Sequence, residues 1–197
     1  MGNTEYTERS SIKRLILSLL AVMAIIAAII LFVSSPTQKL LGASVYSIRS
    51  AFHGLFAGML MVTMTIGLFQ AFRLWGKSTI NVHELEIGSL LNAAVCFMVI
   101  VLGNWLYIPY RAKSGPRSYF LETMPEIHKV FFEFKEFTAL VTLPLTVGAA
   151  YLICLYGERL NSNRVLRETV SLLLVLAFFY FMTAFGLGAA VTKLKAV

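Results

Sequence analysis

The sequence predicts an all-α integral membrane protein: a five-helix transmembrane bundle with an interfacial amphipathic helix that leads into the fourth span. Composition is the first reason. Of the 197 residues, 58% are hydrophobic and 14% are charged, whereas a soluble domain has about 45–50% apolar and about 25% charged residues. The second reason is that the apolar residues form five runs without Asp, Glu, Lys or Arg, at 15–38, 50–72, 87–110, 137–157 and 169–192.

Each of these runs is long enough to cross a membrane, because a helix of ~20 mostly apolar residues spans a hydrocarbon core of ~30 Å. A helix on the surface of a soluble bundle carries a polar face, and these runs have none. We therefore expect a single membrane domain over residues 1–197, with an interfacial segment at 110–136. The expected spans are at about 15–35, 48–74, 83–109, 130–156 and 168–191.

The first span follows a polar segment that ends in Arg9, Lys13 and Arg14, and Pro36 ends it. Its apolar core is longer than the 7–15 residues of a signal-peptide core, which predicts an uncleaved anchor. The first helix usually dominates orientation, so we expect a cytoplasmic N-terminus, although the basic residues are nearly balanced across five spans. The location expected for such a protein is the plasma (inner) membrane.

The second span contains Gly54 and Gly58, a spacing that lets another helix approach closely. The third span begins at Asn81, which is a preferred helix N-cap residue. One face of this span carries Ser89 and Asn92 together with Cys96, which predicts hydrogen bonds between helices.

The third span ends in an aromatic belt of the kind that lies at headgroup level, formed by Trp105, Tyr107 and Tyr110. Residues 112–121 contain Gly115-Pro116 and are expected to form a loop. The lead-in to the fourth span has two stripes, as in a helix that lies in the membrane surface. The apolar stripe is Ile127, Val130, Phe131, Phe134 and Phe137, and the charged stripe is Glu126, Lys129, Glu133 and Glu136.

The net charge of +7 does not indicate a nucleic-acid partner, because the basic residues lie at span ends. There they can reach lipid headgroups with their long side chains. The expected partners are the lipid bilayer and other membrane subunits in a hetero-oligomer. Cys96 and Cys154 both fall inside spans, so no disulfide framework or CxxC metal motif is present in the sequence.

Two histidines are the main cofactor candidates. His53 in the second span and His128 before the fourth fall at the same side of the membrane. Heme b in membrane bundles takes one imidazole from each of two facing helices, with small residues beside the porphyrin. Gly54 suits such a wall, and Arg111 or Arg117 would pair with the propionates. The first hypothesis is therefore a small subunit that passes electrons within a larger membrane complex.

Two alternatives stay open at this stage. One is a cofactor-free accessory or structural subunit, whose apolar helices contact larger partners. The weaker one is a proton or metal handling protein that uses His128, Glu133 and Glu136, since ionisable groups near a membrane are functional candidates. The sequence contains no nucleophile, zinc-protease or nucleotide-binding motif. We therefore expect that the chain is not an enzyme on its own.

Overall fold

The structure is a computed structural model that describes residues 2–34, 44–76 and 80–194, and within these ranges it is helical with no strand. The predicted end of the first span at Pro36 lies outside the described residues. The elements in chain order are α1 (Gly2–Ser34), α2 (Val45–Trp75), α3 (Val82–Tyr110), α4 (Pro116–Thr123), a π-helical turn (Ile127–Phe132), α5 (Glu133–Tyr156), α6 (Arg159–Ser162) and α7 (Arg164–Leu194).

Four helices in the described ranges are long and apolar enough to cross a membrane. They coincide with the predicted second to fifth spans and are Val45–Trp75, Val82–Tyr110, Ile127–Tyr156 and Arg164–Leu194. In α1 the apolar helical segment is Ile16–Leu31, which is shorter than the four helices that qualify as spans. A helical, multi-pass membrane architecture is therefore supported, while the fifth span and the interfacial position of 110–136 stay predictions.

Helix α5 has an outward face that suits lipid and an inward face that carries polar groups. Its outward face is apolar, and Phe134 and Phe137 are 52% and 58% exposed. Its inward face carries buried Thr138, Thr142 and Thr146, whose hydroxyls donate to backbone carbonyls of their own helix. A water-soluble helix has the opposite arrangement. Apolar side chains on the outside and satisfied polar groups on the inside are what a hydrocarbon solvent requires.

Helix α3 is the central element of the bundle. In its most apolar window 56% of the residues are buried, against 22% for α2. It lies antiparallel to α2, because Gln70 of α2 meets Gly88 while Arg49 reaches the carbonyl of Trp105. Helices α1 and α5 also pack on α3, whereas α7 packs on α2 and α5.

Glycines allow α2 and α3 to approach closely, but these glycines are not the Gly54–Gly58 pair that the sequence indicated. A Cβ at Gly67 would lie 2.8 Å from Asn92 Nδ2, and one at Gly88 would lie 3.1 Å from Gln70 Oε1. Each helix thus places an amide on a glycine of the other. By contrast, no described atom lies within 4 Å of a Cβ built on Gly54 or Gly58. The close approach predicted for that pair is not made inside the bundle.

The expected loop at 112–121 was wrong in part, because α4 begins at Pro116. The Gly115-Pro116 pair suggested a turn, but Pro116 occupies the start of the helix. A proline is tolerated there, since its missing N–H would have no partner within the helix anyway. Phe120 of α4 is 1% exposed and packs with Tyr110 and Phe132, which brings the short helix onto the end of the bundle.

Candidate functional site

The π-helical turn positions the most distinctive polar residue of the chain. Residues 127–132 are wound more widely than in an α-helix, and single π-helical turns are frequent at functional sites. His128 and Phe132, four residues apart, both face inward and are 4% and 7% exposed. Val130 and Phe131 between them face outward and are about half exposed. The turn therefore directs an imidazole into the bundle while the two apolar side chains between His128 and Phe132 face outward.

Both ring nitrogens of His128 have protein partners. Arg117 Nε lies 3.1 Å from Nε2, and the Tyr110 hydroxyl lies 3.2 Å from Nδ1. An arginine side chain is a donor at every nitrogen, so Nε2 accepts its hydrogen bond. The imidazole proton therefore resides on Nδ1 and is donated to the Tyr110 oxygen. This arrangement requires a neutral ring and joins the end of α3, the start of α4 and the π-helical turn.

Aromatic rings surround this imidazole, and we call the group of Tyr107, Tyr110, Phe132 and His128 the His128 cluster. The Tyr110 and Phe132 rings are nearly parallel with centroids 4.5 Å apart, and Tyr107 stacks on both. Stacked pairs of this kind add about 0.5–1.5 kcal/mol beyond the burial of their area. The stacked rings therefore pack around the imidazole of His128 and fix the position of the Tyr110 hydroxyl beside it.

Two cations lie over the rings of the His128 cluster. The Arg111 guanidinium carbon is 4.9 Å from the Tyr107 centroid, and Lys135 Nζ is 4.0 Å from the Phe132 centroid. At these distances a cation is attracted by the negative face of the ring. Arg111 and Arg117, which the sequence suggested as partners of heme propionates, thus contact an aromatic ring and an imidazole in this structure.

His53 lies in a different environment on α2. Its Cε1 would be 3.1 Å from a Cβ on Gly103, so the ring packs against α3 at this glycine. Its Nδ1 is buried and has no hydrogen-bond partner among the described residues. One turn earlier, Arg49 donates to the Trp105 carbonyl at 2.9 Å and lies 4.3 Å over the Trp105 ring. Gly103 therefore gives His53 the room that a larger residue would remove.

The two histidines contact α3 at Gly103 and Tyr110. Seven residues of α-helix separate these positions, which is ~10 Å along the axis. In addition, His128 has no free ring nitrogen, so binding to iron would require the loss of one of its two hydrogen bonds. This arrangement does not favour a heme shared by His53 and His128. The heme b hypothesis stays a prediction that the visible absorption spectrum of the purified protein tests.

The carboxylates proposed for proton or metal handling are less enclosed. Glu133 is exposed and Glu136 is half-buried, and both lie in the first turn of α5. Among the described residues no group of three His, Cys, Asp or Glu side chains is arranged to hold a metal ion. The role of His128 with these two glutamates stays a prediction.

A second polar site, which was not predicted from the sequence, lies at the opposite end of α3. Glu86 is 8% exposed, and its Oε1 lies 3.3 Å from Arg14 Nη1 and 3.8 Å from Cys154 Sγ. The signal was present, because Glu86 is three residues before Ser89 on the polar face already predicted to pack inward. Ser89 donates to the Glu86 carbonyl of its own helix, so the interhelical contacts of that face come from its neighbours.

Comparison of the chain with protein-family models, with curated proteins and with solved structures found no match.

Proposed function

We propose that the protein is an accessory subunit of a larger membrane complex and that the outward face of α2 binds a transmembrane helix of a partner subunit. The observation that carries this proposal is the pair of uncovered glycines, Gly54 and Gly58, on a helix that spans the bundle. The expected setting is the plasma (inner) membrane, with five spans and a cytoplasmic N-terminus.

The rest of the bundle supports this use of the two glycines. Gly67, Gly88 and Gly103 each have a side-chain atom of a neighbouring helix within 3.1 Å of the position that a Cβ would take. At these three positions glycine marks a place where another helix comes close. Association of helices in lipid depends on such close van der Waals packing and on small residues at the contact. Gly54 and Gly58 have this property and lack a neighbour among the described residues.

Larger side chains on the same stretch of α2 are also exposed. Leu55, Met59 and Val62 are 60%, 44% and 61% exposed. In the same region α2 has no charged side chain between Arg49 and Arg73. A partner helix that inserts side chains over the glycines would cover this surface without leaving a polar group unsatisfied.

Replacement of Gly58 by Leu tests the proposal. The protein would be purified with its partners from its own membrane in mild detergent, and the complex measured by native mass spectrometry. We expect the wild-type chain to carry a membrane partner. The Gly58→Leu chain should lose it, because the new side chain occupies the space over Gly58 that the partner helix would need.

Gly186→Leu is the matched control, since Gly186 on α7 also has no described atom near its Cβ position. The control variant is expected to keep the partner. A wild-type chain that is recovered alone, or a Gly58→Leu chain that keeps its partner, would contradict the docking role of α2.

A further inference from the structure

We propose that His128 is an acid-sensitive latch: its neutral imidazole holds α4 on the bundle through Arg117, and its protonation releases α4 and uncovers the His128 cluster. This inference does not depend on the docking role of α2. It rests on the two hydrogen bonds of the ring, on its burial and on the charges around it.

The neutral ring is the form that this geometry requires. Nε2 accepts from Arg117 Nε at 3.1 Å, and Nδ1 donates to Tyr110. A protonated imidazole is a donor at both nitrogens. The contact with Arg117 would then place two N–H groups against each other, and the hydrogen bond would be lost.

The surrounding charges act in the same direction. The groups that face His128 are Arg117 of α4, Tyr110 and Arg111 at the end of α3, and Glu133 on the next turn of its own helix. Tyr46 of α2 and Val191 of α7 also pack on this region, and Lys135 lies over the Phe132 ring. A proton on His128 would thus add positive charge to a region that already holds two arginines and a lysine. Acidification is the condition that would supply this proton, because histidine is the side chain whose ordinary charge change lies nearest to neutral pH.

Helix α4 is suited to be released. It has eight residues, and the glycine at its N-cap position, Gly115, has no side chain that could accept a hydrogen bond from the first turn. A helix of this length is unstable by itself in water, so α4 depends on its buried residues Pro116 and Phe120 and on the bond from Arg117 to His128. When Arg117 is repelled, the Phe120 contact with Tyr110 and Phe132 has to hold α4 without it. Departure of α4 would expose an aromatic surface at this end of the bundle.

Hydrogen exchange of the full chain in lipid nanodiscs tests the latch. Amide protection in residues 116–123 would be compared at about pH 7.5 and about pH 4.5, after correction for intrinsic exchange rates. We expect protection of α4 to fall by about threefold to thirtyfold in the wild-type chain, which corresponds to the loss of one hydrogen bond between helices. Protection of the central residues 93–99 of α3 should not change.

His128→Gln keeps an acceptor for Arg117 and a donor for Tyr110 but does not titrate, so its α4 protection should be independent of pH. His83→Gln is the matched control, because His83 is an exposed histidine at the other end of α3, and it should respond as the wild type does. Equal protection of wild-type α4 at both pH values would overturn the proposal. So would an equal fall in His128→Gln, or a fall that includes residues 93–99.

A second variant keeps the proposal testable if His128→Gln does not fold. Arg117→Gln removes the cation that repels a protonated His128 and keeps a donor for the neutral ring. Its α4 should lose less protection on acidification than wild-type α4. A loss equal to or greater than that of the wild type would count against the latch.

Discussion

The two ends of the α3–α5 pair hold a peripheral helix in similar ways, but with opposite electrostatics. At one end Arg14 of α1 binds Glu86, and at the other Arg117 of α4 binds His128. Each acceptor is buried in the bundle, at 8% and 4% exposure, and each donor comes from the helix packed outside. The acceptor is an anion at the α1 end and a neutral imidazole at the α4 end. The same residue type thus makes a Coulombic contact in one place and a hydrogen bond in the other.

Because one acceptor is charged and the other is neutral, the two contacts should respond to different conditions. An ion pair is weakened by salt and by removal of either charge. A hydrogen bond to a neutral ring is insensitive to salt, but it is lost when the ring takes a proton. Arginine serves both purposes because its guanidinium is always a donor and never needs a particular charge on its acceptor.

The largest effect should come from His128→Ala, which tests the α4 end. It removes two hydrogen bonds between elements and leaves a cavity beside Phe132, so we expect a loss on the order of 2–4 kcal/mol in the free energy of unfolding. Chemical unfolding in micelles measures it. Lys129→Ala is the control, because the neighbouring Lys129 is exposed, and its effect should be within about 0.5 kcal/mol. Similar stability of the two variants would refute a packing role for His128.

A smaller effect is expected from Arg14→Ala, which tests the α1 end. It leaves the Glu86 carboxylate buried without this cation, and removal of one partner of a fully buried pair costs about 3–5 kcal/mol. Because the Arg14 side chain is 44% exposed, we expect about 1–2 kcal/mol here. The double variant Arg14→Ala/Glu86→Gln should be more stable than Arg14→Ala alone. If it is less stable, an unpaired charge is not the cause of the loss.

The smallest effect separates the two ends directly. Raising the salt concentration from about 0.05 M to about 0.5 M shortens the screening length severalfold. The opening free energy measured by hydrogen exchange near Arg14 in α1 should then fall by a few tenths of a kcal/mol. The opening free energy of residues 116–123 of α4 should be unchanged. Equal responses at both ends would show that the neutral and charged contacts do not differ as described.

Local rules predicted some parts of the site and missed others. His128 was identified as a candidate because it falls at the same side of the membrane as His53. The structure shows that it is buried, while its role as a cofactor ligand stays a prediction. The sequence did not indicate its partners, because Tyr110 and Arg117 lie 18 and 11 residues away and only packing brings them together. Glu86 was missed because it lies just outside a charge-free run, although it continues the polar face of Ser89 and Asn92.

From the sequence alone, helices and five apolar spans could be predicted, because backbone hydrogen bonding and transfer into hydrocarbon depend on local composition and length. Four of those spans coincide with described helices that are long and apolar enough to cross a membrane, and the fifth stays a prediction. The packing of the helices, which the sequence did not reveal, sets which glycines are covered by a neighbouring helix. It also sets which side of the fourth predicted span faces inward. It also decided that the imidazole of His128 is enclosed by Arg117 and Tyr110. These properties depend on the relative positions of helices, which side-chain packing sets and which no single segment encodes.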